Sequence, residues 1–219
     1  MVMSANFRHE FIEFALARKV LRFGEFKTKA GRMSPYFFNA GLFHDGESLK
    51  QLAQFYVKAI TAADVEFDML FGPAYKGIPL VAAIAIAFAE QGRNVNFSFN
   101  RKEEKDHGEG GGIVGATLTG RVMIVDDVIS AGTSVRESVN LIRGSRAIPC
   151  AVAVALDRME RGSGELSAVQ EVTQQYHMPV VSIATLEDLV IYLESNREMS
   201  SNLAAVSKYR EQYGVTAHA

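Results

Sequence analysis

The stretch Val122–Val135, V-M-I-V-D-D-V-I-S-A-G-T-S-V, decides which fold this sequence specifies. Its opening residues are all apolar, which is typical of a strand covered on both faces, as in a parallel sheet flanked by helices. Two carboxylates, Asp126 and Asp127, follow directly, and a helical pattern runs from Val135 to about Arg143. The segment therefore predicts a strand–loop–helix unit of an α/β protein, with polar side chains placed where the strand ends.

The loop in this unit combines groups that prefer different ligands. Gly132 permits a tight turn, and Thr133 and Ser134 fall at the start of the predicted helix, where free N–H groups and the helix dipole favour an anion. Asp126 and Asp127 would repel a phosphate, but they can accept hydrogen bonds from vicinal hydroxyls or hold Mg²⁺. Taken singly, these residues are more simply explained as caps of a turn and a helix. The whole segment favours a sugar phosphate.

The rest of the chain repeats the pattern of buried strands and helices. Apolar runs that predict strands lie at Phe67–Phe71, Val95–Phe99, Cys150–Leu156 and Val180–Ala184, and an aromatic-rich strand is predicted at Ser34–Gly41. Helical patterns lie at Phe7–Leu16, Glu47–Ala63, Ile78–Ala89, Leu186–Ser195 and Asn202–Tyr213. No repeat or linker divides the chain. We therefore expect one α/β domain over residues 1–219, with a mainly parallel, twisted sheet flanked by helices.

Composition excludes several classes of protein. A formal net charge of −2 argues against a general nucleic-acid binder. The single cysteine, Cys150, lies in an apolar run and suits a buried small side chain in a reducing compartment. The longest apolar run, Ile78–Ala89, is too short to span a bilayer, and the N-terminus lacks the apolar core of a signal peptide. We expect a cytoplasmic protein with neither a membrane nor a nucleic acid as its partner.

A second predicted strand end carries a loop suited to an anion. Residues 72–79 read G-P-A-Y-K-G-I-P and follow the apolar run Phe67–Phe71. Two glycines let the backbone approach a ligand closely, and Lys76 adds a positive charge. Alone, the segment would be read as a Pro/Gly turn with a solvated lysine. Next to the Asp126 loop, it favours a diphosphate site. Neither a Walker loop nor a Gly-rich dinucleotide fingerprint follows any predicted strand.

A long polar loop joins two of the predicted strands. Residues 101–112, R-K-E-E-K-D-H-G-E-G-G-G, contain no apolar side chain that could anchor the loop. Such a run is usually a disordered surface loop. It nevertheless concentrates the basic residues Arg101, Lys102, Lys105 and His107 in an acidic protein. We interpret it as a lid that excludes water and neutralises a departing anion.

These segments resemble the phosphoribosyl-pyrophosphate (PRPP) signature of the type I phosphoribosyltransferases. Over nearly the whole chain, the pattern is similar to the bacterial orotate phosphoribosyltransferases within that family. The resemblance rests on F-K-T-K-A-G-R-M-S-P-Y-F-F-N-A-G, F-G-P-A-Y-K-G-I-P, F-N-R-K-E-E-K-D-H-G-E-G-G and the Val122–Val135 segment. It implies the type I phosphoribosyltransferase fold, with a small N-terminal hood at about residues 1–45 and a mobile lid at about 101–115. It also implies transfer of the 5-phosphoribosyl group of PRPP to orotate, which yields orotidine 5′-monophosphate and pyrophosphate in pyrimidine synthesis.

The resemblance also implies roles for individual residues. The PRPP site would comprise Lys29, Tyr75, Lys76, Arg101, Lys102, Lys105, His107, Asp126, Asp127, Val128, Ile129, Ser130, Ala131, Gly132, Thr133 and Ser134. The catalytic groups among them would be Arg101, Lys102, Lys105 and His107. Orotate would meet Phe37, Phe38, Ser130 and Arg158. Mg²⁺ would be held mainly by PRPP, near Asp126 and Asp127. Family members are dimers in which the lid of one chain serves its neighbour's site, so a homodimer is implied.

Alternatives remain open from the sequence. Phe37 and Phe38 could simply pack in the core, Arg158 could pair with Glu160 or Asp157, and Ser130 stands where relatives usually carry Thr. A purine phosphoribosyltransferase would share the fold, although a site that includes Arg158 favours a base bearing a carboxylate. A PRPP-sensing regulator that binds nucleic acid is a further alternative. The net charge of −2 and the basic lid argue against it.

Overall fold

The computed structural model describes residues 6–28, 31–103, 112–129, 132–162 and 164–215. The strands are β1 (Leu21–Lys27), β2 (Met33–Phe38), β3 (Met69–Gly72), β4 (Asn96–Asn100), β5 (Ile113–Gly115), β6 (Arg121–Val125), β7 (Ile148–Asp157) and β8 (Val180–Thr185). The helices are α1 (Asn6–Ala17), α2 (Gly46–Ala62), α3 (Gly77–Glu90), α4 (Thr133–Gly144), α5 (Ala168–Tyr176), α6 (Leu186–Ser195) and α7 (Ser200–Tyr213). Short 3-10 turns follow β2 at Ala40–Leu42 and α6 at Arg197–Met199.

A six-stranded sheet with the order β5-β4-β3-β6-β7-β8 carries the fold. Its strands run parallel except for β5, which pairs antiparallel with β4 at one edge. Helices α3, α4 and α5 each connect one parallel strand to another, as a parallel sheet requires. The predicted α/β class with a mainly parallel sheet is confirmed.

Both faces of the sheet are covered, and this explains the unbroken apolar runs. In β6, Met123 and Val125 belong to the larger core, which also holds buried residues of α1, α2, α3, α6 and α7. Val122 and Ile124 belong to a second core under α4 and α5. All four side chains have 0% of their surface exposed. Successive residues of a strand face opposite sides, so the run can contain no polar residue until the strand ends.

An antiparallel hairpin of β1 and β2 precedes the main sheet and forms a separate two-stranded sheet. It rests on the C-terminal part of the chain, where the Arg32 guanidinium donates hydrogen bonds to the carbonyls of Arg161 (2.8 Å) and Gly162 (3.2 Å). The sequence predicted β2 at Ser34–Gly41 but not its partner β1. Polar residues, Gly24 and a bulge between Phe23 and Phe26 interrupt the strand pattern of β1. That this region forms a hood stays a prediction.

Two smaller expectations concern the burial of Cys150 and membrane-spanning helices. Cys150 is a free thiol in β7 that lies partly buried against the larger core. Burial raises its pKa to about 11, so the thiol stays protonated near neutral pH and packs as a small apolar group. Within the described ranges, no helix combines the length and apolarity needed to cross a membrane.

Candidate active site

The candidate site lies where parallel strands end side by side. β6 pairs with β3 on one side and with β7 on the other, so the carboxyl ends of all three meet at one edge of the sheet. The loops that follow them begin with Pro73, Asp126 and Arg158 respectively. Open α/β sheets bind ligands at this edge, which is where the sequence placed the chemistry.

Asp126 is a buried carboxylate held in a defined orientation. Its backbone N–H donates to the Ala153 carbonyl (3.0 Å), and its own carbonyl accepts a hydrogen bond from the Tyr56 hydroxyl of α2 (2.8 Å). One carboxylate oxygen accepts the N–H of Asp127 (2.9 Å), and the other accepts the Ser134 hydroxyl (2.8 Å). Burial raises its pKa to about 6, the hydrogen bond from Ser134 acts in the opposite direction, and the charge of Asp127 raises it further.

Asp127 is paired with the lysine of the neighbouring loop. Its Oδ2 lies 2.5 Å from Nζ of Lys76, and its side chain is 8% exposed, whereas that of Lys76 is 56% exposed. The Asp127 carbonyl accepts a hydrogen bond from the N–H of Ala155, which ties it to β7. The loop after β3 therefore supplies a cation to the acids after β6. This pairing shows how a phosphate can approach two carboxylates, because Lys76 offsets part of their charge.

The start of α4 faces the same edge. Gly132 caps this helix with a left-handed backbone (φ +66°), and its carbonyl accepts the N–H of Arg136. Thr133 is exposed. The hydroxyl of Ser134 instead bonds to Asp126, so it links the carboxylates to the helix start. Val128 packs against the larger core and Ile129 against the second core. Ser130 and Ala131 lie outside the described residues.

The loop after β3 depends on close contact between its two glycines. A Cβ atom on Gly77 would lie 2.7 Å from the carbonyl carbon of Gly72, so neither position accommodates a side chain without movement of the backbone. The Ala74 N–H donates to the Asn100 side chain at the end of β4 (2.8 Å), and the Ala74–Tyr75 peptide is cis. Tyr75 is 66% exposed at the tip of the loop. Backbone, aromatic ring and cation are thus presented together at the sheet edge.

The predicted lid begins beside this loop. Strands β4 and β5 form an antiparallel pair, and the N–H of Arg101 donates to the Gly112 carbonyl (2.7 Å), so both ends of the loop are held together. The Lys102 ammonium lies 5.4 Å from the centre of the Tyr75 ring. Lys102 is therefore close to the candidate diphosphate loop. Three of the predicted residues lie outside the described part of the chain, namely Lys29, Lys105 and His107.

Arg158 follows β7 and is held by three groups. Its Nε donates to Oε1 of Glu160 (2.8 Å), its Nη2 forms an ion pair with the same oxygen (2.6 Å), and Nη2 donates to the Ser34 hydroxyl (3.0 Å). The guanidinium lies 4.2 Å from the centre of the Tyr36 ring. The pairing with Glu160, one of the two alternatives open from the sequence, is what the structure shows. Asp157 accepts the N–H of Met159 (2.8 Å) instead.

The structure does not bring the side chains of Phe37 and Phe38 together. Phe37 is 37% exposed and stacks on Phe26, with ring centres 5.3 Å apart and the Arg22 guanidinium 5.6 Å from the Phe37 ring. Phe38 is partly buried and contacts Phe11, with ring centres 6.3 Å apart. Neighbours in a strand point to opposite sides, so the two rings cannot form one wall.

Several residues of the site were not identified from the sequence. Tyr56 contacts Asp126, Asn100 contacts the loop after β3, and Ser34 contacts Arg158, but all three are distant from these partners in sequence. Glu160, two residues after Arg158, was named from the sequence only as an alternative partner of that arginine. In the described part of the chain, no cluster of three or more His, Cys, Asp or Glu side chains could hold a metal ion.

Known proteins resemble the chain along nearly its full length. The phosphoribosyl transferase domain family matches residues 42–180. The orotate phosphoribosyltransferase of Thiobacillus denitrificans is 66% identical over 211 residues, which cover 96% of this chain and 100% of that protein. That of Nitrosospira multiformis is 67% identical over 209 residues, covering 95% of this chain and 92% of that protein. The crystal structure of orotate phosphoribosyltransferase from Francisella tularensis superposes with a TM-score of 0.87 at 41% identity, covering 94% of this chain and 100% of that one.

Proposed function

The chain belongs to the orotate phosphoribosyltransferase family, and we propose that it transfers the 5-phosphoribosyl group of PRPP to orotate. The products are orotidine 5′-monophosphate and pyrophosphate, and the reaction serves the synthesis of pyrimidine nucleotides. One observation in the structure supports this most directly. Two buried carboxylates, Asp126 and Asp127, lie between a helix start suited to phosphate and a loop carrying Lys76.

The three parts of PRPP correspond to three parts of this edge. The 5-phosphate would take the N–H groups at the start of α4 together with the Thr133 hydroxyl, because a helix N-terminus favours an anion. The ribose hydroxyls would donate to Asp126 and Asp127, whose backbone anchors hold them in place. The diphosphate would lie against the glycine loop, where Lys76 would exchange its contact with Asp127 for phosphate oxygens.

Transfer breaks the bond between C1 of ribose and the diphosphate oxygen. N1 of orotate forms the new bond to C1 and loses its proton, which the departing diphosphate can take up. Negative charge grows on the departing diphosphate while the ribose becomes cation-like. Lys76 and Lys102 contact the acids and the loop after β3, which supports a role beside the diphosphate. We assign Arg101, Lys105 and His107 to the same task. Groups placed in advance where charge develops stabilise the transition state, and a closed lid excludes water.

Orotate would bind between the hairpin and the end of β7. The Arg158 guanidinium would donate charge-assisted hydrogen bonds to the carboxylate of the base. Its partner Ser34 comes from β2, the same strand as Phe37 and Phe38, so the hairpin and the base site are joined. We keep Phe37 and Phe38 in the base site. We propose that orotate contacts their strand, β2, and not a surface formed by both rings. We also keep Ser130, which carries a hydroxyl in the loop after β6.

We further propose that magnesium accompanies PRPP. The site offers two neighbouring carboxylates, and Mg²⁺ is usually bound through one or two carboxylates plus substrate phosphates, keeping several waters. That donor set fits an ion held mainly by the diphosphate and ribose oxygens, with Asp126 and Asp127 as the nearest protein groups. Bound there, the ion would neutralise the leaving diphosphate. A homodimer that shares the lid between chains, and a cytoplasmic location, complete the proposal.

The test is orotate consumption followed by ultraviolet absorbance, with PRPP and Mg²⁺ present and each omitted in turn. Loss of orotate only in the complete mixture is the expected result. Consumption without PRPP would contradict the proposal. Binding of PRPP by calorimetry without any consumption of orotate would contradict the choice of base and favour a different one.

The carboxylate assignment has its own test. A variant carrying both Asp126→Asn and Asp127→Asn should lose measurable PRPP binding, because neutral amides bind ribose hydroxyls less strongly than carboxylates do. Calorimetry measures the affinity, and circular dichroism confirms that the variant is folded. Exposed Asp64→Asn serves as the control. An unchanged affinity in the double variant would remove both residues from the ribose site.

A further inference from the structure

Glu160 holds Arg158 along one edge of the guanidinium. Its Oε1 accepts a hydrogen bond from Nε (2.8 Å) and forms an ion pair with Nη2 on the same edge (2.6 Å). Nη2 donates its hydrogen bond to the Ser34 hydroxyl (3.0 Å). Nη1 has no partner among the residues that the structure describes, and Arg carries two donors on that nitrogen. Glu160 therefore fixes the side chain without using its far end.

The surroundings make this fixation effective. The side chains of Arg158 and Glu160 are only 24% and 15% exposed, so water competes weakly for their hydrogen bonds. Tyr36, which is 1% exposed, covers the guanidinium and donates its hydroxyl to the same Oε1 at 3.3 Å. Ser34, also 1% exposed, in turn donates to the Tyr36 carbonyl (2.7 Å). Ring, hydroxyl and carboxylate thus restrict Arg158 from three directions.

A second buried group next to this pair lacks a partner. The hydroxyl of Tyr209, on α7, has no hydrogen bond of good geometry among the described residues, and this residue is 5% exposed. Its ring packs edge-on against Tyr36, with centres 6.4 Å apart. Burial raises the pKa of the Tyr209 hydroxyl, the charge of Glu160 raises it further, and the charge of Arg158 acts in the opposite direction. Buried polar groups are normally hydrogen-bonded, so an orphaned hydroxyl beside unused donors of Arg158 points to a polar ligand group.

We propose that Glu160 is a positioning residue for orotate binding, which holds Arg158 so that its Nη1 end meets the ligand's carboxylate. This inference rests on the proposed function. It assigns to Glu160 a role through geometry rather than charge, because its negative charge alone would weaken the attraction of Arg158 for a carboxylate. A planar guanidinium binds well only when its donors are aligned, so a loosened Arg158 would bind less tightly.

Two substitutions separate geometry from charge. Glu160→Gln keeps an oxygen at the same reach for Nε and Nη2 but removes the charge. Glu160→Asp keeps the charge but withdraws the oxygens by one methylene. We expect Glu160→Gln to retain the affinity for orotidine 5′-monophosphate within about threefold. We expect Glu160→Asp to lose about tenfold, which corresponds to about 1.4 kcal/mol. Calorimetry gives both values without requiring turnover.

Uridine 5′-monophosphate, which lacks the carboxylate, is the matched ligand control, and its affinity should be the same in all variants. In the assay, Glu160→Asp should raise KM for orotate and leave KM for PRPP unchanged. The exposed Glu165, 3.8 Å from Arg161, provides the matched variant Glu165→Asp, which should behave as wild type. Melting temperatures of all variants verify folding.

The outcomes are distinguishable. If wild type binds no orotidine 5′-monophosphate, the proposed function itself fails. If wild type binds it and Glu160→Asp binds it equally well, the positioning role is wrong. If Glu160→Gln gains affinity while Glu160→Asp keeps that of wild type, Glu160 acts by charge as a competitor of the ligand, and the inference is overturned. Equal losses for both nucleotides would indicate a purely structural role and would also overturn it.

Discussion

At the scale of single residues, the site contains a carboxyl group, Asp126, whose ionised form is unfavourable. Asp126 is 8% exposed and lies next to Asp127, so both burial and a like charge oppose its ionisation. The hydrogen bond from Ser134 offsets these two effects only in part, so the pKa of Asp126 is raised to about 6. The arrangement suits a ligand with hydroxyl groups, because their hydrogen bonds would stabilise the carboxylate that burial disfavours.

This residue predicts a pH dependence of stability. The pKa of Asp126 is about 6 in the folded chain against an ordinary 3.8, so between these values the folded state keeps a proton that the unfolded state releases. The stabilising contribution of the protonated form is complete below about pH 4 and is lost as the pH rises through 6. Asp126→Asn removes this loss. Relative to wild type, the variant should gain roughly 1–3 kcal/mol between pH 4 and pH 7.

Urea unfolding at pH 4, 5, 6 and 7 measures the free energy of unfolding of both proteins. The exposed Asp64 offers a control, since Asp64→Asn should show no comparable gain across this range. A stability difference between Asp126→Asn and wild type that is constant with pH would contradict the buried, proton-binding state of Asp126.

At the scale of elements, the start of α4 depends on a residue without a side chain. Gly132 has φ +66°, a conformation that costs other L-residues roughly 1–2 kcal/mol. Among the described residues, space is not the obstacle, because the nearest atom to a Cβ at this position would be Cγ2 of Val172, 3.8 Å away. The backbone conformation alone therefore sets the requirement for glycine.

Gly132→Ala should accordingly destabilise the protein by about 1–2 kcal/mol. Gly144, the last residue of the same helix, has open space around it, so Gly144→Ala should be neutral or stabilise by up to about 1 kcal/mol. Chemical denaturation of both variants gives the comparison. Equal effects at the two positions would contradict a conformational requirement at Gly132.

At the scale of the whole molecule, the lid and the carboxylates belong to different parts of the sheet. The lid joins β4 and β5 at one edge, whereas Asp126 and Asp127 follow the more central β6. If a homodimer shares its lids as proposed, each site is built from two chains. When a lid defect and a carboxylate defect are carried by different chains of one dimer, both would then fall in the same site and leave the other site intact.

Complementation tests this arrangement. Lys105→Ala should lower turnover about 10²–10³-fold, by analogy with the loss of one preorganised donor. The variant with Asp126→Asn and Asp127→Asn should be inactive as well. Mixed after subunit exchange, the two should recover about a quarter of wild-type activity, because half of the dimers are mixed and each carries one intact site.

The orotate assay measures the recovery, and sedimentation of the mixture establishes that dimers are present. The two variants kept apart are the control. A mixture that stays as inactive as its components, despite demonstrated exchange, would place the lid over its own chain's site.

The sequence by itself determined the local units of this protein. Continuous apolar runs identified β3, β4, β6, β7 and β8, because a strand covered on both faces must be apolar throughout. The loops predicted to bind PRPP were found for a related reason. Their residues lie next to one another in the chain, directly after strands whose ends meet in space. Strands β1 and β5 were missed, since one is interrupted and the other has three residues.

Only the tertiary structure decided how these units meet at the site. The Tyr56 hydroxyl reaches Asp126 across 70 positions of the chain, and Ser34 reaches Arg158 across 124. No local pattern encodes such pairs, because they depend on where the hairpin and α2 pack against the sheet. The orientation of Arg158 is decided in the same way. Its residue type follows from the sequence, but the direction of its free donors is set by Glu160, Ser34 and Tyr36 together.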